Sequence, residues 1–179
     1  AGLVVVVTMV AASACGGSDS SGSEKLDKIK IGTIPIVDTA PVHIAEERGY
    51  FAKYDIDAEL VSLQGGGSSV GGVVKGQYDF GFANITSLLS AVEQGQPVKG
   101  VVSGSASTGK PKEDFSAVMA AKNSRLRSAR DLEGKTVAVN QLDNIGDTTV
   151  RAAVRKDGGD PDRVRFVEMP FPKMAAALD

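Results

Sequence analysis

The sequence predicts an α/β protein with a parallel sheet, and three observations predict it. Short runs of β-type residues alternate with segments of helical period from about residue 28 onward, the first helical segment is bounded by Pro41 and Gly49, and 21 glycines with 42% apolar residues suit a turn-rich globular chain. "KIKIGTIPI" (28–36) alternates lysine with isoleucine and reads as a strand entering a loop. "APVHIAEERGYF" (40–51) carries Pro41 near a helix start and Gly49 as its stop. "DIDAELVSL" (55–63) is the next strand, "SSVGGVVKG" (68–76) a short helix and "YDFGFA" (78–83) a third strand. "NITSLLSAVEQG" (84–95) reads as a helix capped by Asn84 or Thr86, with Leu88, Leu89 and Val92 on its buried face. "VKGVVSG" (98–104), "FSAVMAA" (115–121) and "KTVAVN" (135–140) read as strands, followed by a helix over roughly 147–157 and the strand "RVRFVEM" (163–169). This βαβα order predicts helices on both faces of the sheet.

Composition narrows the chemistry. The 20 Lys+Arg against 22 Asp+Glu leave no basic groove for nucleic acid. One cysteine excludes an intramolecular disulfide and a CxxC zinc site, and one histidine leaves no cluster for a transition metal, so neither metal nor cofactor is expected.

The first fourteen residues, "AGLVVVVTMVAASA", carry no charge and pass from valines to small residues before Cys15. That is the order of a secretory apolar region and its cleavage site, so residues 1–14 are expected to be the remnant of a signal peptide whose basic start is missing. "ASACGG" resembles the lipobox of bacterial lipoproteins, in which the cysteine becomes the lipidated N-terminus. Cys15 is accordingly expected to be lipidated, with residues 15–27 as a flexible Gly/Ser-rich tether to the membrane. A buried structural cysteine fits poorly among such neighbours.

In open α/β sheets ligands bind beyond the carboxyl ends of the strands, at helix N-termini. Four loops leave a strand and enter a helix with small or polar residues: "TIPIVDTAP" (33–41), "QGGGSS" (64–69), "ANITS" (83–87) and "NQLDNIGDTT" (140–149). Each could offer backbone donors to a small polar or anionic molecule, or could simply hold turns and caps. "GSASTGKP" (104–111) matches a phosphate-binding loop until Pro111, which removes the magnesium-binding hydroxyl and an N–H, so nucleotide hydrolysis is rejected. His43 has no nucleophile in a catalytic setting beside it, and Glu46, Glu47 and Glu93 read as solvated helix faces. "RLRSARDLEGK" (125–135) alternates charge signs as a short surface helix would.

"APVHIAEERGYF", "KGQYDFGFANITSLL" and "DLEGKTVAV" carry a resemblance that runs in order from about residue 28 to the last residue. The chain resembles ABC-transporter substrate-binding proteins of the aliphatic-sulfonate, taurine and thiamine-precursor type, the SsuA/NMT-like group of periplasmic binding proteins. The resemblance implies a type II fold of two α/β lobes that close on a solute, with lobe one over 28–121 and the start of lobe two over 122–179. It implies no enzyme activity, a membrane permease as partner and an extracytoplasmic, lipid-anchored location. The solute implied is a small polar or anionic organic molecule, sulfonate-, nitrate- or pyrimidine-precursor-like.

Two departures stand out. Members usually read Gly-Leu before the second strand where this chain has "KYDID", and they continue past "MAAALD" through the rest of lobe two and back to lobe one. The chain is therefore expected to be a fragment that leaves apolar lobe-two surface uncovered. The family's ligand loops fall on Ile36, Val37, Asp38 and Thr39, on Gly65, Gly66, Gly67 and Ser68, on Asn84 and Thr86, and on Asn144, Gly146, Asp147 and Thr148. Asn84, Thr86 and Thr148 are expected as hydrogen-bond donors and Gly66 and Gly146 as backbone approach points. Asp38 and Asp147 either face the ligand or cap helices. A lipid-anchored sensory module remains an alternative; a pyrimidine-synthase-like enzyme is disfavoured by the absent cysteine cluster and histidines.

Overall fold

A computed structural model describes residues 26–110, 113–114 and 116–178. Cys15, the leader before it and nearly all of the tether lie outside these residues. The described chain forms two parallel sheets. The first has the order β2-β1-β3 and the second pairs β4 with β5. In chain order the elements are β1 (Asp27–Thr33), α1 (Ala40–Glu47), β2 (Ile56–Ser62), α2 (Gly66–Val74), β3 (Phe80–Gly81), α3 (Ile85–Glu93), β4 (Thr136–Val139), α4 (Ile145–Lys156), β5 (Arg165–Glu168) and the short α5 (Phe171–Met174). The α/β alternation is thus present as expected.

Glycine ends α1 through α4 in the same way. After α1, Gly49 adopts a left-handed φ of 65°, its N–H bonds the Glu46 carbonyl at 2.9 Å, and the Tyr50 N–H reaches back to Ala45 at 2.8 Å. This is a Schellman ending, which a residue with a Cβ adopts only at a cost. Gly76, Gly95 and Gly158 repeat it after α2, α3 and α4. Where the "KYDID" departure falls, Asp55 takes a φ of 58°, so aspartate fills the left-handed position and the turn into β2 is kept.

β1 and β2 pair along their full length, from Asp27↔Ile56 to Thr33↔Ser62. Lys28 and Lys30 stand opposite Asp57 and Glu59 and make exposed ion pairs at 4.0 and 3.0 Å, which contribute little. β3 is much shorter than the expected 78–83 because the Lys30 N–H donates to the Asp79 carboxylate at 2.8 Å, ending the ladder with a side chain. Helix α2 lies close on this sheet, since a Cβ on Gly32 would lie 3.4 Å from Ser69 Oγ and one on Gly81 would overlap it.

The second sheet holds the larger apolar core. Leu132, Val137, Val139, Val150, Val154 and Val164 cluster there, flanked by Leu126, Ala129 and Phe166. Val154 is 0% exposed. In the first sheet unit the buried apolar side chains among the described residues are Ile34 and Ala91.

Three expectations are corrected. Residues 98–104 and the described part of 115–121 are not strands but largely exposed chain outside either sheet, because a β-type sequence becomes a strand only where a neighbour accepts its backbone bonds. Leu89 and Val92 are exposed rather than buried. The inward face of α3 is instead Ser87 and Ala91, small residues that let the helix approach Gly66, where a Cβ would lie 2.8 Å from Ser87 Oγ. Finally, uncovered apolar side chains are prominent in the first unit, at Phe80, Ile85, Leu89 and Val92, as well as in the second at Val167 and Phe171.

Two carboxylates clamp the short helical turn Ala129–Leu132. Asp131 accepts the N–H groups of Arg127 and Ser128 at 2.7 and 3.0 Å, and Asp157 accepts that of Arg130 at 2.9 Å. Those bonds favour the ionised forms and lower both pKa values below the usual carboxylate value. With folded values depressed, their contribution is present above the unfolded carboxylate pKa and is lost as pH falls through the folded ones. Acidification below about pH 4 is therefore expected to loosen residues 127–132, seen as faster amide exchange there than in β4; equal protection at pH 7 and pH 3 would refute it. Val154→Ala is expected to cost about 2 kcal/mol, seen as a lower urea midpoint with an unchanged slope.

Candidate functional site

All five strands run parallel to their partners, so the loops at their carboxyl ends gather at one edge of each sheet. Helix-capping requirements then place the polar side chains. Asn84 precedes α3 in extended conformation, and its Oδ1 accepts the Ser87 N–H at 3.0 Å. Asn144 precedes α4; its Oδ1 accepts the Ile145 N–H at 2.5 Å, and Asp147 answers by accepting the Asn144 and Asp143 N–H groups at 2.8 and 3.0 Å. Asp147 is therefore a cap, one of its two expected roles. At α2, Ser68 Oγ accepts the Gly65 N–H at 3.3 Å and donates to the Gly65 carbonyl at 2.8 Å. Leu142 is fixed from β5, its N–H donating to Glu168 at 2.8 Å.

Three of the four loops meet. Asn84 Nδ2 donates to Asn144 Oδ1, joining the start of α3 to that of α4. The Gly67 N–H donates to Gln141 Oε1 at 2.9 Å, and Asn144 Nδ2 reaches the same oxygen at 3.3 Å. Gln64 and Asn140 exchange a reciprocal pair: Gln64 Nε2 donates to the Asn140 carbonyl and Asn140 Nδ2 to the Gln64 carbonyl, each at 3.1 Å. The strand ends of the two sheets thus face each other across an amide-lined seam.

The glycine run makes this approach possible. A Cβ on Gly65 would lie 2.6 Å from Gln141 Oε1 and 2.8 Å from Asn140 Nδ2, and one on Gly66 would lie 2.7 Å from Asn84 Nδ2. Both are tighter than van der Waals contact allows. Gly65 to Ser68, Asn84, Asn144 and Asp147 are thereby brought together.

The first loop is not joined to this seam by a hydrogen bond among the described residues. Thr39 is 1% exposed and turns its hydroxyl onto the Ile34 and Ile36 carbonyls at 2.7 and 2.9 Å, while Ile36 and Asp38 are half-buried and Val37 is exposed. Thr86 is half-buried on the first turn of α3, Thr148 is exposed with its N–H bonded to Asn144, and Gly146 sits over Val139. Gln64, Ser87, Asn140 and Gln141 were not singled out from the sequence. For Gln64, Asn140 and Gln141 the signal was an amide side chain just past a strand end, with glycines opposite that leave room for it, and Ser87 carried no signal of its own.

The four loops contain no Lys or Arg; their charges are Asp38, Asp143 and Asp147. The starts of α2, α3 and α4 supply partial positive charge instead. Beside the seam, a groove of about 340 Å³ runs between α2 and α3, lined by Gly67, Val70, Ser87 and Ala91 and bounded by Gln141 and Leu142. A larger hollow of about 490 Å³ lies at the opposite ends of β1 and β2 among the paired Lys28, Lys30, Asp57 and Glu59. It is remote from the strand ends where helix N-termini gather. His43 is exposed on α1. The arrangement can hydrogen-bond a small polar molecule.

Known proteins share stretches of this sequence and its fold. Over 97 residues the chain is 37% identical to the bicarbonate-binding protein CmpA of Synechococcus elongatus, a match that covers 48% of this chain and 20% of CmpA. The fold matches the alkanesulfonate-binding protein SsuA of Xanthomonas axonopodis pv. citri with a TM-score of 0.61 at 16% identity, covering 84% of this chain and 50% of that one. The periplasmic aliphatic sulphonate binding protein SsuA of Escherichia coli matches with a TM-score of 0.56 at 15% identity, covering 85% and 50%. The chain thus spans about a fifth of the length of its curated relative and half that of these structures, with the type II periplasmic-binding-protein fold. Because the NMT1/THI5-like family model matches residues 36–179, most of its length, the chain belongs to the NMT1/THI5-like family.

Proposed function

We propose that this chain is part of the extracytoplasmic solute-binding component of an ABC importer, taking up a small oxyanion or polar organic molecule for delivery to a membrane permease. The observation that carries the reading is the convergence of the starts of α2, α3 and α4, with Asn84 and Asn144 between them, at the facing strand ends of two parallel sheets. Helix ends and amide N–H groups suit an anion without a fixed cation. The names of the relatives, one for bicarbonate and two for sulfonates, support a solute of that kind. The residues proposed to hold it are Ile36 to Thr39, Gly65 to Ser68, Asn84, Thr86, Asn144, Gly146, Asp147 and Thr148, with lobe one over 28–121 and lobe two beginning at 122. In this reading the component binds its solute and performs no chemistry on it.

The anchor is proposed to be a lipidated Cys15. Among the described residues no helix is long and apolar enough to cross a membrane.

Thermal shift of the natural polypeptide against bicarbonate, nitrate, methanesulfonate and an aminopyrimidine tests the binding reading. One of them is expected to raise the melting temperature saturably, by about 2.7 kcal/mol of stabilisation at a hundredfold excess over its dissociation constant, and to be recovered unchanged. Conversion of the solute, or no stabilisation by any of the four, counts against it. Cys15→Ala is expected to move the protein from the membrane to the soluble fraction; unchanged membrane attachment would overturn the lipid anchor.

A further inference from the structure

We propose that Gln64, Asn140 and Gln141 form a clasp that holds the two lobes together before any solute arrives, making them positioning residues for the site rather than ligands in it. None of the three is among the residues proposed to touch the solute. Each lies immediately beside them, at the end of β2 or β4.

The clasp is specific in its chemistry. Gln64 and Asn140 each give a side-chain N–H to the other's backbone carbonyl at 3.1 Å, so the pair engages two strand ends through groups fixed by the sheets themselves. Gln141 adds a third tie, accepting the Gly67 N–H at 2.9 Å, one of the orphan donors at the start of α2. Asn140 is buried, which strengthens its bonds against competition from water. The loop bearing both residues is itself held rigid: Leu142 is tied to Glu168, Asp143 to Asp147, and Asp143 sits in the left-handed region at a φ of 51°.

Gly65 is the seat of the clasp. Its φ of −170° is open to any residue, so its small size is required by the neighbours rather than by its backbone. A Cβ there would fall 2.6 Å from Gln141 Oε1 and 2.8 Å from Asn140 Nδ2, so the two amide groups that make the clasp would have to leave their bonded positions. A two-state lobe equilibrium biased by such bonds sets the apparent affinity through the fraction of molecules already closed.

The test measures lobe separation without solute. Spin labels go on Glu93→Cys and Lys156→Cys, both exposed, in the natural polypeptide with Cys15→Ser. The background protein is expected to show a narrow short distance in the absence of solute. Gln141→Ala, which deletes a half-exposed acceptor, and Gly65→Ala, which adds that Cβ, are each expected to add a longer distance, with unchanged far-ultraviolet circular dichroism. The same distance distribution in the background and in a folded variant overturns the proposal, as does a background already at the long distance. Calorimetric titration with bicarbonate and with methanesulfonate is a second readout, and Gln141→Ala is expected to weaken whichever binds by about three- to tenfold. The distances need no solute, so a protein that binds none of the four solutes named above sinks the importer reading while leaving the clasp to stand or fall on its own.

Discussion

Helices must find acceptors for the first N–H groups of their backbone, and much of this structure follows from where those acceptors come from. Asn84 and Asn144 each serve that requirement with one oxygen and keep their amide N–H groups for use elsewhere. A serine cap would have ended the interaction locally. An asparagine cap carries donors beyond it, and here one caps α3 while donating to the cap of α4. The seam between the sheets is thus an extension of helix capping, and its polarity is inherited from the cap.

The two sheet units reach order by different means. The second buries a cluster of six apolar side chains, Val154 among them, and holds its surface turn with two carboxylates. The first relies on close backbone approach: glycines in β1, α2 and β3 and the small Ser69 let a helix settle on the sheet with little apolar area removed from water. Ser69 Oγ is fully buried there without a hydrogen-bond partner among the described residues, a cost that tight packing must offset.

Much of the fold was legible because its signals are local. Glycine after α1, α2 and α3, Asn84 before α3, and the alternation in 28–36 mark boundaries that no distant residue alters. What misled was non-local. "VKGVVSG" has strand composition, yet a strand is a relation between two segments, and the second segment is not implied by the first. The buried face of α3 was misjudged for a related reason: hydrophobicity ranked Leu89 above Ser87, whereas the contact with Gly66 selected the small side chain. In the site, Asn84 was found as a cap, whereas Asn144 was singled out only as a ligand-loop residue and its capping of α4 emerges from the structure. Gln64, Asn140 and Gln141 escaped because amides at strand ends are common, and only the space above Gly65 and Gly67 shows what they meet.

The three loops that meet at the seam hold two aspartates, Asp143 and Asp147, and no lysine or arginine. An anion approaching from a distance is therefore not drawn by a net positive field, and within a Debye length it is slightly repelled. Discrimination is left to the last few ångströms, where N–H groups of fixed direction either match the outline of the visitor or do not. In the proposed reading such a site draws its selectivity from short-range fit rather than from long-range steering.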